Sequence, residues 1–277
     1  MPLKYSILPN RGVLKISGPD RVDFLQGLVS NDVSKATDTK GVYAAFLTPQ
    51  GKYLCDFFIL ASESHQCLML DIAADALPAF KKKLTMYKLR ADVEIEDVSQ
   101  GYDILAFFGD AKMEITPGLY QDPRLAEAGY RAFVSKGTGW QNAEEVDFDS
   151  YDLHRLLLGL PDGARDMIVE KSILLENGFD ELNGVDWDKG CYMGQELTAR
   201  TKYRGLIKKR LLPVEVQGPL PENGTEIYAA DKLVGEVRSG LEKKALALLK
   251  LDFIEEPLRA GESTLRVIQP DWIILTK

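Results

Sequence analysis

Lys189-Gly190-Cys191-Tyr192-Met193-Gly194-Gln195-Glu196 concentrates an ammonium, a thiol, a phenol, an amide and a carboxylate in one short stretch punctuated by two glycines. Glycine tolerates a positive φ and lets backbones approach closely. The stretch therefore reads as a tight backbone feature that presents functional groups and then enters a helix through Leu197 and Ala199. Its flanks are charged with opposite sign. Glu176, Asp180, Glu181, Asp186 and Asp188 precede it without a basic residue. Arg200, Lys202, Arg204, Lys208, Lys209 and Arg210 follow without an acidic one. In a chain of net charge −8, that basic run is either a receptor for a polyanion or an acidic tail, or a solvated surface.

The chain has 277 residues, 45% hydrophobic and 27% charged, which is ordinary globular composition. No apolar run approaches the ~20 residues of a membrane helix. The N-terminal Met-Pro-Leu-Lys-Tyr has no long apolar core. A cytoplasmic protein, without membrane or DNA partners and monomeric, is the expectation. Cys55, Cys67 and Cys191 are too scattered for a disulfide framework or a metal knuckle, and with only His65 and His154 no metal site is expected.

Outward from the central stretch, the elements alternate. Val13 to Ser17 reads as a strand. Gly18-Pro19-Asp20 opens a helix expected to end near Ser30-Asn31-Asp32. Val42 to Thr48 and Tyr53 to Leu60 flank the turn signal Pro49-Gln50-Gly51-Lys52 and form a hairpin. Asp56 lies within the apolar second arm, where an aspartate is disfavoured. It either faces water at an edge or has a task. Further strands are expected at Cys67 to Ile72, Val93 to Val98, Tyr102 to Phe108 and Tyr130 to Ser135. Helices are expected at Ala74 to Leu89 and from Asp149 or Ser150 to Gly159. His154 and Arg155 read as packing or surface residues, and Pro161 to Asp166 as a turn with an exposed charged pair. After Arg210, five short strands separated by Gly, Pro and Asn indicate a small barrel or sandwich. The order gives an α+β class, with one region over residues 1–210, divisible near residue 100, and a β-barrel over 211–277.

The chemistry of Cys191 has two readings. Lys189, the basic run and a following helix N-terminus would favour its thiolate. Equally, it would serve as a buried structural cysteine. A cysteine hydrolase needs a general base, and nothing in the sequence places either histidine beside it. Walker A, Gly-x-Gly-x-x-Gly, His-Glu-x-x-His and Gly-x-Ser-x-Gly patterns are all missing from the sequence.

Lys189 to Glu196 resembles the signature of the YgfZ family of folate-binding proteins, which is related to the aminomethyltransferase (T-protein) of the glycine cleavage system. Phe24-Leu25-Gln26-Gly27 with Asn31-Asp32, Leu47 to Lys52, and Gly163-Ala164-Arg165-Asp166 with Glu170 resemble further segments of these proteins. The resemblance implies a T-protein-like fold around a central opening that accepts tetrahydrofolate. It also implies a role in assembling or repairing iron–sulfur clusters, with client proteins or assembly factors as partners and tRNA modification downstream. Glu170 matches a pterin-binding glutamate, and Cys55-Asp56 stands where T-proteins carry two acidic residues. Lys189, Tyr192, Gln195, Glu196, Arg200 and Arg204 would complete a folate site, with Arg200, Lys202 and Arg204 toward the glutamate tail. Cys191 and Asp56 would carry any chemistry. A folate-dependent aminomethyl transferase is the alternative. RNA binding through Arg200 to Arg210 and Tyr203 is a third, weaker reading.

Overall fold

The computed structural model describes residues 3–110, 112–205 and 207–275. Met1 and Pro2, part of the N-terminal stretch read above, lie outside them. In chain order the first part contains β1 (Lys4–Ile7), β2 (Arg11–Ser17), α1 (Arg21–Gln26), β3 (Val42–Leu47), β4 (Tyr53–Ser62), β5 (Cys67–Ala73), α2 (Leu77–Tyr87) and β6 (Glu94–Asp97). Then come β7 (Tyr102–Phe108), β8 (Leu119–Gln121), β9 (Tyr130–Ser135), β10 (Glu144–Glu145), α3 (Phe148–Leu158), α4 (Gly163–Asp166) and α5 (Gln195–Tyr203). The last part holds β11 (Lys209–Gln217), β12 (Glu226–Ala229), β13 (Lys232–Leu241), β14 (Lys244–Lys250), β15 (Leu258–Ala260) and β16 (Ser263–Val267).

Three sheets result. One runs β3-β4-β5-β2-β6, a second β10-β1-β7-β9-β8, and the third closes into a barrel in the order β11-β14-β13-β12-β15-β16. The β3–β4 hairpin forms as its turn signal predicts, with Ala45 opposite Asp56 and Phe46 opposite Cys55. Both faces of β3 are buried. Phe46 and its alternates pack under α1 and α2, whereas Tyr43, Ala45 and Leu47 face Tyr120, Met167 and Phe179. The barrel interior is apolar, built from Val214, Ile227, Val237, Ala247 and Leu265 among others.

Several expectations need correction. α1 stops at Gln26, not near Asp32, because Gln26 turns back to donate to Asp32 and to accept from the Val33 N–H. Residues 27–31 instead cover the free edge of β3: Val29 bridges Phe46, and the Ser30 N–H donates to the Ala45 carbonyl. α3 is capped by Asp147, which accepts from the Ser150 N–H, so the helix begins before the residues expected to cap it. Gly159 closes it with φ +74. β15, too short to stand out in the sequence, completes the barrel.

The charged pair at 165–166 is not exposed. Asp166 is fully buried and accepts from Arg155 Nη1 (2.7 Å), from the Asp162 N–H (2.7 Å), and from the Ser239 N–H and hydroxyl of β13 (2.9 and 2.5 Å). Arg155 also holds Asp152 at 2.8 Å, and Arg165 bridges Asp152 and Asp162. This buried cluster ties α3 and α4 to the barrel. His154 Nε2 donates to the Glu127 carbonyl (3.1 Å), and its ring stacks on Phe108.

Candidate functional site

The eight-residue signature wraps the tip of the β3–β4 hairpin. Gly194 takes φ +82, and a Cβ there would lie 2.4 Å from the Thr48 carbonyl oxygen. Gly51, at the hairpin turn, takes φ +80, and its Cβ would lie 2.5 Å from Leu197 Cβ and 2.7 Å from the Gly194 oxygen. Two glycines from distant segments therefore meet backbone to backbone. Gln195 closes the loop by accepting from the Tyr192 N–H (3.1 Å). The Met193 N–H donates to the Gly27 carbonyl. Tyr192 and Met193 straddle β3, the first in the Tyr43 cluster and the second against the Phe46 cluster. Burial pushes the Tyr192 phenol up to about 12.

Lys189 does not sit free beside the thiol. Its Nζ donates to the carbonyls of Gln26, Val29 and Asn31 at 2.8, 2.7 and 2.8 Å. Burial pulls its pKa down to about 8 against the pull of Asp32 and Asp186. At neutral pH it remains charged, with all three donors used. Lys189 is thus the clamp that ties the signature to the loop over the β3 edge. Nearby bonds add to that clamp: the Ser30 hydroxyl donates to the Gly184 carbonyl, and Asn31 Nδ2 donates to the Asn183 carbonyl.

On this rigid frame Cys191 is exposed, whereas Cys55 and Cys67 are buried. Burial pushes the thiols of Cys55 and Cys67 up, away from the thiolate. Glu196 and Arg200 form an exposed pair at 3.4 Å, and Arg204 is exposed at the end of α5. Two residues of the basic run are answered by the acidic flank: Lys202 pairs with Asp180, and buried Arg210 pairs with Glu181 at 2.6 Å. Tyr203 is 77% exposed and meets Trp187 edge-on. Glu170 is exposed at φ +63, and its N–H donates to the Tyr53 carbonyl.

Asp56 lies elsewhere, at the centre of the chain. It is buried rather than edge-exposed, and accepts from the Tyr53 hydroxyl (2.6 Å) and the Tyr43 hydroxyl (3.0 Å). Gly163 abuts it so closely that a Cβ would lie 1.8 Å from Oδ1. Burial raises its carboxyl more than Arg11 and the two tyrosines lower it. Around it, Asp71 of β5 is clamped by Arg11 (2.5 Å) and Arg131 (2.5 Å), and Asp122 by Arg124 (2.8 Å). Three guanidiniums, those of Arg11, Arg124 and Arg131, surround the Phe58 ring at 5.9, 4.9 and 4.1 Å. In the sequence this cluster shows only as isolated charges in apolar strands.

The opening beside Asp56 holds about 30 Å³ of free space, room for about two waters. Asn10 Oδ1 and Asp162 Oδ1 are buried there without hydrogen-bond partners, and such acceptors suit N–H donors or water. Glu170, Lys189, Tyr192, Gln195, Glu196, Arg200 and Arg204 do not line it. The residues expected to form one folate site are therefore divided: Asp56 is in the central cluster, and Lys189 to Arg204 are at or beyond the hairpin tip. Arg11, Arg124, Arg131, Arg155 and Arg165 line this space. Each Asp56 oxygen accepts one tyrosine hydroxyl, Tyr53 at Oδ1 and Tyr43 at Oδ2.

Two families match the chain: the GCVT N-terminal domain over residues 10–137 and the CAF17 C-terminal beta-barrel domain over residues 208–274. The chain is 33% identical to human "Iron-sulfur cluster assembly factor IBA57, mitochondrial" over 298 residues, covering 96% of this chain and 84% of that protein. The mouse protein of the same name is 32% identical, with the same coverage of each. A homolog from Mycosarcoma maydis is 39% identical over 230 residues, or 76% of this chain and 57% of that one. The structure of the glycine cleavage system aminomethyltransferase T from Bartonella henselae superposes with a TM-score of 0.78 over 98% of this chain and 86% of that one, at 14% identity, which establishes a shared fold. The relatives are IBA57 factors, where the signature alone resembled the YgfZ family. Their names place them in mitochondria, which overturns the expectation of a cytoplasmic protein.

Proposed function

The chain belongs to the family of IBA57 iron–sulfur cluster assembly factors, and on that premise we propose that it presents the Cys191 thiolate as a ligand to a cluster passing between proteins. The observation that carries this reading is the contrast among its cysteines. Cys191 is exposed on a loop fixed by Lys189, Gly194 and Gln195, whereas Cys55 and Cys67 are buried. Thiolates are the preferred ligands of iron–sulfur clusters, which take four. Among the described residues, no group of three or more His, Cys, Asp or Glu side chains converges to hold a metal. One thiolate therefore shares a cluster whose other ligands come from a partner or a small thiol. Such a ligand receives and releases its cargo; it does not store it.

Folate has no step in this proposal, which rests on Cys191 alone. Any effect on tRNA modification runs through iron–sulfur clients.

Anaerobic incubation of the purified chain with ferric iron, sulfide and glutathione, followed by removal of unbound iron and glutathione, tests the proposal. Wild type, Cys55→Ser and Cys67→Ser are expected to develop the visible thiolate-to-iron absorption, and Cys191→Ser is not. Equal absorption from Cys191→Ser would remove Cys191 as the ligand.

A further inference from the structure

The outer side of α2 and the turn after it carry Lys81, Lys82, Lys83, Lys88 and Arg90, with no carboxylate between Ala76 and Ala91. The net charge of the chain is −8, so this concentration is local. None of the five cations is in an ion pair among the described residues. Leu77, Phe80 and Leu84 spend the apolar stripe of the helix on the sheet beneath it. Three large apolar side chains nevertheless remain outside: Met86 is 69%, Tyr87 41% and Leu89 88% exposed. Exposed apolar side chains ringed by cations suit an interface with an apolar centre and a charged rim.

The end of α2 and the Cys191 loop pack on the same buried cluster, which holds Phe46, Val29 and Leu84 with Met193 against it. The Tyr87 ring meets Phe46 at 6.3 Å. Phe46 bridges Val29, whose carbonyl receives the Lys189 ammonium, and the adjoining Gly27 carbonyl receives the Met193 N–H. One contiguous set of contacts thus joins the end of α2 to the residues on both sides of Cys191.

We propose that the end of α2, with Lys82, Lys88, Arg90, Met86 and Leu89, docks an acidic protein surface with an apolar centre, belonging to the partner that shares the cluster with Cys191. The inference rests on the cluster-ligand reading and deepens it by naming the partner's chemistry. Opposite charge would steer the encounter, and the apolar side chains would hold it. An anionic membrane is the less fitting occupant. A peripheral helix inserts its whole apolar face, whereas that of α2 is already buried in the fold.

The test uses full-length protein in cells lacking it, with an iron–sulfur enzyme as readout. Lys82→Glu/Arg90→Glu is expected to keep the wild-type Tm, since both side chains are exposed, and to lower restored enzyme activity at least about tenfold, the low end of charge-steering effects on association. Leu89→Ser, which changes no charge, should lower it too, and keeps the idea testable should the double reversal lower Tm. A photo-crosslinking side chain in place of Leu89 is expected to capture, in the wild-type background only, a protein that is both acidic and a cluster carrier. Normal activity from both variants beside an inactive Cys191→Ser would reduce α2 to solvated surface. So would wild-type protein that sediments with phosphatidylserine vesicles through the same residues. Normal activity from Cys191→Ser as well would instead remove the cluster-ligand reading beneath it.

Discussion

Replacing Asp166 with alanine is expected to destabilise the protein by about 3–5 kcal/mol, the usual loss when one member of a buried ion pair is removed. Asp166 is fully buried and accepts four hydrogen bonds, from Arg155, from the Asp162 backbone and twice from Ser239. Alanine would strand the Arg155 guanidinium in the interior with Asp152 as its remaining ion pair. It would also cut the link between α4 and the barrel. At about 2–4 °C per kcal/mol for a larger domain, Tm should fall by roughly 10 °C. Asp166→Asn keeps the shape and an acceptor, and should lose less. Urea titration of the three proteins checks the order, and a loss for the alanine variant under about 1 kcal/mol, the range of surface pairs, would contradict it.

The same network gives a pH dependence. Burial would raise the carboxyls of Asp71 and Asp122, but Arg11 and Arg131 on the first, and Arg124 and Arg131 on the second, hold both below the usual range. Asp152 and Asp162 are held low by Arg165 and Arg155 in the same way. Groups with depressed folded values contribute stability that is complete above the unfolded aspartate value of about 3.9 and disappears as pH falls through the folded values. Asp56, raised by burial, works in the opposite direction, but it is one against four. The urea midpoint should therefore change little between pH 7 and 5 from these groups, and fall steeply below about pH 4.

Gly194→Ala is expected to be severe and Gly190→Ala mild, although both lie in one short signature. At Gly194 an L-residue faces a left-handed backbone, at about 1–2 kcal/mol, and a Cβ 2.4 Å from the Thr48 carbonyl. The signature and the hairpin turn would have to separate, which frees the frame beneath Cys191. At Gly190 a Cβ meets nothing within 4 Å, and the effect should stay within about 0.5 kcal/mol. Hydrogen exchange over residues 189–196 reads this directly: faster in Gly194→Ala, unchanged in Gly190→Ala. Equal behaviour of the two would mean that the glycine contact at the hairpin tip is not what fixes the loop.

Local signals made much of the fold legible. Pro49-Gln50-Gly51 marked the hairpin, and closely spaced turns after Arg210 marked the barrel. Interactions between distant residues were not legible. Gln26 ends α1 by bonding Asp32, and Lys189 caps carbonyls more than 150 positions away. Asp71, Arg131 and Arg155 look like ordinary charges in a sequence, and only folding shows them buried against one another. The site was legible in part. The signature drew attention to Cys191, which the structure leaves exposed, but Lys189 read as an activating neighbour when it is a clamp. Asp56 and Glu170 belong to other parts of the structure because local motif order carries no information about which face of a sheet a residue meets.

The central claim is that Cys191 acts as an exposed ligand and not as packing. Cells lacking the protein, supplied with Cys191→Ser, test it most directly when protein level and iron–sulfur enzyme activity are measured in the same extract. Since the Cys191 side chain is exposed, the serine variant should accumulate normally. The account predicts normal abundance with enzyme activity no higher than in cells given no protein. Enzyme activity at the wild-type level, at equal abundance, would contradict it.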